Sequence, residues 1–153
     1  MEILVDRYTE NDFRDFKEMV LQLYSEDPTG MQMTEHKIMK TANESILHPE
    51  KVQIVILRNK NMCIGYSILT YSWSNEYCGD VLNIDELYIK NEYRSKHAAS
   101  NFLRYIRESY RNVVLFMLET TPENEKALRV FRRSGFEVSA NTHLIYSIDK
   151  QNG

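Results

Sequence analysis

The chain has 153 residues, of which 42% are hydrophobic and 27% charged, with a formal net charge of −3. This is the composition of an ordinary globular domain, so it excludes a disordered, collagen-like or linker-like chain. The absence of a run of about 18 apolar residues argues against a membrane span, and the slight negative charge argues against a general nucleic-acid binder. We expect residues 1–153 to form a single domain.

The N-terminus predicts the cellular compartment. It has neither the basic residues nor the apolar stretch of a signal peptide. We therefore expect a cytoplasmic protein.

Cysteine and histidine spacing predicts no metal site. Cys63 and Cys78 form no CxxC pair, and the four histidines form no HxH or HxxxH pair. We expect two buried free thiols, although the sequence leaves a disulfide open.

The first part of the chain predicts one strand and two helices. Residues 2–7 alternate as a short strand, and apolar residues at three- and four-residue spacing predict a helix over 11–25. Segment 27–30 contains Asp-Pro-Thr-Gly and breaks that helix. Thr34 is the predicted cap of a second helix that ends at about Leu47.

After residue 51 the spacing of apolar residues changes from the helical pattern to the pattern of strands. Val52–Leu57 and Met62–Tyr71 flank a polar turn and predict a hairpin, and Val81–Ile89 is a third long strand. These three runs predict the body of a sheet.

Residues 94–148 alternate between segments with helical spacing of apolar residues and segments with the pattern of strands. We expect a helix from Arg94 to Tyr110, a strand at Val113–Leu118 that is buried on both faces, a helix at Glu123–Ser134, and closing strands at 135–138 and 143–148. A helix between two strands makes them parallel. The whole order predicts one mixed α/β domain.

The entry into the helix after Ile89 predicts an anion site. Small residues and cations surround this turn, and free N–H groups at a helix N-terminus bind anions. The alternative is an ordinary strand–turn–helix with surface cations. The residues concerned are Arg94, Ser95, Lys96, Ala98 and Ala99.

Residues 86–99 resemble motif A of the GNAT superfamily of N-acetyltransferases, roughly E-L-Y-V-x-P-x-Y-R-G-x-G-x-G/A. Residues 124–136, NEKALRVFRRSGF, are similar to its motif B, N-x-x-A-x-x-x-Y-x-x-x-G-F. The resemblance covers nearly the full chain. It implies a single-domain mixed sheet whose central parallel strands splay apart, flanked by about four helices.

The resemblance implies acetyl-coenzyme A as cofactor, bound between the splayed strands. The pantetheine would pair with Leu87, Tyr88 and Ile89, and the pyrophosphate would lie on the following turn. The other residues implied in cofactor binding are Arg94, Ser95, Lys96, His97, Ala98, Ala99, Asn124, Ala127 and Phe131.

Two carboxylates are the candidate catalytic residues. The strand is similar to that of the small-amine and polyamine branch, where Asp85 takes the position of a base that acts through water. We expect Glu86 on the opposite face, because strand side chains alternate; the plainer alternative is two charges at a strand edge. Aromatic residues are candidates for an amine pocket or for ordinary packing: Tyr66, Tyr71, Trp73 and Tyr77.

Three positions depart from the family pattern. Ser95 and His97 replace glycines of the turn, where a bulky side chain obstructs a phosphate or displaces the backbone. Phe131 replaces the tyrosine that usually protonates the coenzyme thiolate, which leaves Tyr88 and Tyr146 as alternative acids.

The sequence therefore leaves three functions open. The first is an N-acetyltransferase acting on a small-molecule primary amine, the second a degenerate binding or regulatory module, and the third a protein N-acetyltransferase. A homodimer formed through the closing strands is implied by the resemblance alone.

Overall fold

Five strands form one sheet in the computed structural model, which describes residues 1–26 and 31–148. Their order in space follows the chain, with antiparallel pairing up to β4 and parallel pairing of β4 with β5. The mixed sheet and its parallel pair are as predicted. The strands are β1 Leu4–Arg7, β2 Val52–Asn59, β3 Met62–Ser74, β4 Gly79–Ile89 and β5 Leu115–Leu118.

Within the described residues, four α-helices accompany the sheet: α1 Phe13–Glu26, α2 Glu35–Leu47, α3 Ala98–Ser109 and α4 Glu125–Arg133. Thr34 caps α2 as predicted, because its side chain accepts a hydrogen bond from the backbone N–H of Lys37. The predicted breaker at 27–30 lies outside the described residues. Within those residues, no helix combines the length and apolar character that a membrane span needs.

The third helix begins four residues later than the sequence predicted. Residues 91–93 form a 3-10 turn, and α3 starts only at Ala98. Ser95 and His97 both have positive φ angles, which a right-handed helix does not contain. The segment from Arg94 is therefore a turn and not a first helical turn.

The sheet separates two apolar cores. Helices α1 and α2 cover one face, where Phe16 and Ile38 pack with Tyr66 and Tyr88. Helix α3 covers the other face through Phe102 with its neighbours. We call these the α1 face and the α3 face.

β5 is less buried than the sequence predicted. It spans only Leu115–Leu118, and none of its residues is fully buried. Helix α4 has no fully buried residue either. The prediction of a strand buried on both faces was wrong, because β5 forms the edge of the sheet in the described chain.

The two closing strands are absent from the described structure. Residues 135–138 and 143–148 have no strand assignment, and Leu144, Ile145 and Ile148 are more than 90% exposed. A strand is stabilised by pairing with a neighbour, and this segment pairs with none in the described chain. The prediction of closing strands was therefore wrong for the chain taken alone.

The two cysteines have different environments. Cys63 is buried and Cys78 is exposed, and neither is in a disulfide. Burial raises the pKa of the Cys63 thiol. The expectation of two buried thiols is therefore correct for Cys63 and wrong for Cys78.

Candidate functional site

The parallel strands β4 and β5 separate halfway along β4. Their pairing runs from Val81 with Leu115 to Ile84 with Leu118, whereas β4 continues to Ile89. Beyond Ile84 this edge of β4 has no strand partner in the described chain. The opening leaves this edge of β4 unpaired by any strand from Asp85 to Ile89, although the Ile89 carbonyl accepts a hydrogen bond from Arg94.

A β-bulge lies at the point of separation. Ile68 pairs with Glu86 and Leu69 pairs with Ile84, so Asp85 is the extra residue. Ile84 belongs to the α3-face core and Tyr88 to the α1-face core, although strict alternation would put them on one face. The bulge reverses the alternation between Ile84 and Tyr88, and the placing of Asp85 and Glu86 on opposite faces stays a prediction.

The Glu86 carboxylate is held by two tyrosines from different elements. Tyr24 of α1 donates its hydroxyl hydrogen bond to Oε2 at 2.7 Å, and Tyr66 of β3 donates to Oε1 at 2.6 Å. Tyr24 lies 62 positions from Glu86 in the chain, so no local sequence signal pointed to it. The structure adds Tyr24 to the candidate site.

Burial raises the pKa of Glu86 above its ordinary value, although the hydrogen bonds from Tyr66 and Tyr24 act in the opposite direction. Burial and the neighbouring Glu86 charge also raise the pKa of each tyrosine. The tyrosines therefore remain donors throughout the neutral range. Glu86 is therefore a carboxylate whose affinity for a proton is raised, with two hydrogen-bond donors that orient it.

Asp85 forms a second carboxylate at the opening. The residue is exposed, but partial burial of its carboxyl group and the nearby Glu119 raise its pKa. Glu119 directly follows β5, so both separating strands contribute acidic groups. Across the described chain, no group of three or more His, Cys, Asp or Glu residues is arranged to hold a metal ion.

The turn before α3 keeps the backbone shape expected of glycine. Ser95 and His97 have φ angles of 62° and 66°, the left-handed region that glycine adopts most easily. Their side chains have therefore not forced the backbone into another conformation. Both side chains are exposed.

The N–H groups of this turn are available for an anion. The first backbone hydrogen bond of α3 runs from Asn101 N to His97 O at 2.9 Å, and no described backbone carbonyl accepts from the N–H groups of 95–99. Successive N–H groups in alternating left- and right-handed conformation form an anion-binding concavity. The turn is therefore a candidate site for an anion.

The Arg94 side chain points away from this concavity. Its guanidinium donates to Ile89 O at 2.7 Å and to the Glu26 carboxylate at 2.8 Å. It also lies 5.2 Å from the ring centroid of Tyr88, which belongs to the α1 face. Lys96 lies within the turn itself. Its ammonium group forms no ion pair within the described chain.

The motif B residues lie on α4. Asn124 caps the helix, because its Oδ1 accepts a hydrogen bond from Ala127 N at 3.2 Å. Phe131 and Ala127 are half-buried, and the ring centroid of Phe131 is 6.4 Å from that of Phe136. Phe131 packs against the α3-face core, and a phenylalanine side chain has no proton to donate.

The four aromatic residues proposed for an amine pocket do not come together. Tyr66 packs in the α1-face core and Tyr71 against the α3-face core, while Trp73 and Tyr77 are exposed. These positions fit the alternative of ordinary packing, since Tyr66 and Tyr71 lie on opposite faces of β3.

An open depression of about 320 Å³ lies between α1 and the end of β4. Sequence reasoning missed it, because it needs α1 to lie beside β4. Three of its residues are acidic and one is a lysine: Glu18, Met19, Gln22, Glu26, Tyr88, Lys90, Asn91 and Glu92.

The fold is similar to that of several solved structures. A possible acetyltransferase from Clostridium difficile 630 has a TM-score of 0.83 at 19% identity, with 97% of this chain and 99% of that chain covered. The aminoglycoside N-acetyltransferase AAC(6')-Iy in complex with CoA has a TM-score of 0.76 at 14% identity, with 96% and 95% covered.

A transcriptional regulator from Bacillus halodurans C-125 has a TM-score of 0.78 at 16% identity, with 95% of this chain and 100% of that chain covered. These identities support a shared fold and no more. No curated protein is significantly similar to the chain in sequence.

The sequence itself matches the acetyltransferase (GNAT) family over residues 17–136. The matched range contains the bulged end of β4, the left-handed turn and all of motif B. The chain belongs to the GNAT acetyltransferase family.

Proposed function

We propose that the protein transfers the acetyl group of acetyl-coenzyme A to the primary amine of a small molecule. The observation that carries this proposal is the free edge of β4 beyond Ile84, which opens next to Glu86. A thioester extended along that edge would be presented beside a carboxylate with a raised pKa.

The residues of the cleft have distinct roles in binding the cofactor. The backbone of Leu87, Tyr88 and Ile89 would pair with the pantetheine amides. The N–H groups of the turn from Ser95, through Lys96, His97 and Ala98, to Ala99 would bind the pyrophosphate. The bound cofactor supplies an activated acetyl thioester.

The other residues predicted to bind the cofactor lie around this strand and turn. Lys96 adds charge at the turn, while Ala127 and Phe131 offer an apolar wall on α4. Asn124 already uses Oδ1 as a helix cap, so its amide N–H group is the part free to donate. Arg94 would act indirectly by joining the strand end to α1.

Glu86 is the proposed general base. An amine arrives protonated at neutral pH, because its pKa is near that of lysine, about 10.4. The Glu86 carboxylate accepts that proton directly or through water, and Asp85 adds negative charge that favours the ammonium form during approach. Tyr24 and Tyr66 fix the orientation of the carboxylate.

The leaving thiolate needs less assistance than the amine. A thiol pKa near about 8.5 makes it a tolerable leaving group, so the missing hydroxyl at Phe131 slows the reaction without preventing it. Tyr88 is buried on the α1 face, whereas Tyr146 is exposed. Tyr146 is therefore the more accessible of the two candidate acids.

Negative charge favours a cationic acceptor. Asp85, Glu86 and Glu119 lie at the opening, and the fold is shared with an aminoglycoside N-acetyltransferase. A small polyamine or amino sugar fits this charge. Since acetyl-coenzyme A is a cytosolic metabolite, the proposal places the protein in the cytoplasm.

A regulatory binding module is the second candidate. Two observations favour it: the non-glycine turn and the structural similarity to a transcriptional regulator. Transfer to a protein amine is the remaining alternative, and peptide acceptors in the same assay would detect it.

The proposal is tested by release of coenzyme A thiol from acetyl-coenzyme A in the presence of polyamines, amino sugars and lysine peptides. We expect release with at least one small amine and a loss of about 10²–10⁴-fold in Glu86→Gln. Tyr8→Phe is the control, because Tyr8 packs on Phe16 in the same face. Cofactor binding without any thiol release would favour the regulatory module, and release with peptides alone would favour the protein acetyltransferase.

A further inference from the structure

The Arg94 side chain joins the end of β4 to helix α1. Its guanidinium donates to the Ile89 carbonyl oxygen at 2.7 Å and to the Glu26 carboxylate at 2.8 Å. The same group lies 5.2 Å from the ring centroid of Tyr88. The direct contact with the cofactor that the sequence predicted for Arg94 makes no use of these three contacts.

The last turn of α1, residues 23–26, lacks fully buried residues. The buried residues of this helix are Phe16, Met19 and Val20, so none lies beyond residue 20. Apolar packing therefore holds the first part of the helix more firmly than its end. Within the described residues, the ion pair between Glu26 and Arg94 is the one that joins this last turn to another element.

The last turn of α1 also carries Tyr24, which donates to Glu86 Oε2 at 2.7 Å. The second donor to that carboxylate, Tyr66 of β3, is fully buried, and its ring centroid lies 5.1 Å from that of Phe16. The core itself therefore fixes Tyr66. Tyr24 is only half-buried, so its hydroxyl leaves the carboxylate when the end of α1 moves.

We propose that Arg94 is a positioning residue for the general base, because it tethers the last turn of α1 and so keeps the Tyr24 hydroxyl on the Glu86 carboxylate. This inference rests on the proposed role of Glu86 as the base. In the described chain, the groups that act on this carboxylate directly are Tyr24, Tyr66 and Asp85. Arg94 is not one of them, so it acts through Tyr24 and not through its own charge.

The loss of this tether changes the pKa of Glu86 in a defined direction. The hydrogen bond from Tyr24 lowers that pKa, so a weaker bond raises it. Arg94→Met and Glu26→Gln both break the ion pair, and both should therefore raise the pKa of Glu86. A long-range effect of charge predicts opposite signs, because removal of a cation raises the pKa of a carboxyl group and removal of an anion lowers it.

The first test follows the Glu86 carboxyl group by carbon-13 NMR in the full-length protein without ligand. In Arg94→Met and in Glu26→Gln we expect the titration midpoint to rise by about 0.3–0.7 in pH, a two- to fivefold change in proton affinity. The change is modest because a partly exposed ion pair couples weakly. Arg94→Met/Tyr24→Phe should titrate like Tyr24→Phe alone, because both changes act on one hydrogen bond.

Lys90→Met is the matched control for the loss of a positive charge. Lys90 follows β4 and lines the same depression as Glu26 and Tyr88, and it forms no ion pair within the described chain. We expect the Glu86 midpoint of this variant to equal that of the natural protein.

The second test separates positioning from cofactor binding. In Arg94→Met the acidic limb of the kcat/KM profile should move to higher pH, while the Kd for coenzyme A measured by calorimetric titration stays unchanged. Lys96→Met, which alters a cation within the turn itself, should weaken coenzyme A binding and leave the acidic limb in place.

Two results would overturn the positioning role. The first is a Glu86 midpoint that moves in opposite directions in Arg94→Met and Glu26→Gln, or in neither. The second is weaker coenzyme A binding in Arg94→Met with the midpoint unchanged, which would return Arg94 to the cofactor site. Because the NMR titration needs neither cofactor nor acceptor, a rise of the midpoint in both variants supports the tether even if the protein transfers no acetyl group.

Discussion

At the scale of residues, the proposed base Glu86 combines burial with hydrogen bonds to its carboxylate. Burial raises its pKa, and two tyrosine hydroxyls keep the charged form hydrogen-bonded. Because a base must be unprotonated, activity should rise with pH through this raised pKa and level off above it. The hydrogen bonds from these two tyrosines lower the pKa of Glu86, so they help to set the pH at which activity rises.

Tyr24→Phe should move the acidic limb of kcat/KM to higher pH. The hydrogen bond from Tyr24 lowers the pKa of Glu86, so its removal raises that pKa further and protonates the base over a wider range. We expect a loss of about tenfold at the acidic end that narrows as pH rises. The measurement is a pH profile of both proteins.

Tyr66→Phe should also move the acidic limb of the kcat/KM profile to higher pH. Tyr8→Phe should leave that limb at the pH of the natural protein. A uniform loss at every pH would mean that Tyr24 contributes only structure.

The turn before α3 makes a second residue-scale prediction. Ser95→Gly and His97→Gly should each increase the free energy of unfolding by about 0.5–1 kcal/mol, because relief of a left-handed conformation outweighs the added entropy of the unfolded chain. Urea denaturation measures this. Lys96→Gly is the control and should be neutral or destabilising, since its φ angle is not positive. Equal effects at all three positions would show that the left-handed backbone is not strained.

At the scale of elements, the cofactor strand depends on a close approach of β3 to β4. A Cβ built on Gly65 would lie 2.3 Å from Tyr88 O, which is a backbone atom of the predicted pantetheine strand. Gly65→Ala should therefore cost about 1–3 kcal/mol and weaken binding of coenzyme A, as measured by urea denaturation and calorimetric titration.

Gly79→Ala is the matched control for Gly65→Ala. Its Cβ would meet the Val114 side chain at 2.4 Å, at the other end of β4. We expect it to destabilise the protein but to be relieved by Val114→Ala, with coenzyme A affinity unchanged. Weaker binding in this control to the same extent would remove the special role of Gly65.

An ion pair between Glu26 of α1 and Arg94 joins the helix to the start of the turn. We expect its contribution to the free energy of unfolding to be small. Burial tends to raise the pKa of Glu26, but hydrogen bonds from Arg94 and Gln22 lower it overall. Stability from this pair is therefore present above the ordinary glutamate pKa of 4.5 and is lost as pH falls through the lowered value.

Glu26→Gln should cost no more than about 1 kcal/mol at pH 7. The difference from the natural protein should vanish below the lowered pKa. Urea denaturation at both pH values measures it, and a difference that persists in acid would assign the effect to packing.

Element types were predictable from the sequence where periodicity was strong, as in α1, α2 and the β2–β3 hairpin. The bulge at Asp85 was not, because it depends on how β4 registers against β3. The late start of α3 has a similar cause, since neither Ser95 nor His97 signals a left-handed backbone by its identity. The sequence therefore predicted which elements carry the motif residues, while the bulge and the left-handed turn depend on tertiary structure.

At the scale of the molecule, the family and the splayed sheet followed from two motifs in order, and the match over 17–136 confirms the family. The site partners Tyr24 and Glu119 are supplied by α1 and by the residue after β5, and only tertiary packing brings them to β4. The closing strands were predicted from alternation alone. Alternation indicates that a segment suits a sheet, but it does not supply the neighbouring strand with which the segment must pair.

The central claim is that this cleft, with serine and histidine in its turn, binds acetyl-coenzyme A. Isothermal titration of the full-length protein with acetyl-coenzyme A, and in parallel with coenzyme A, tests it most directly. We expect one site per chain with a Kd on the order of micromolar, which corresponds to a standard free energy of binding of about −8 kcal/mol. The absence of binding at millimolar ligand would contradict the account, because it would mean that the turn no longer accepts a pyrophosphate.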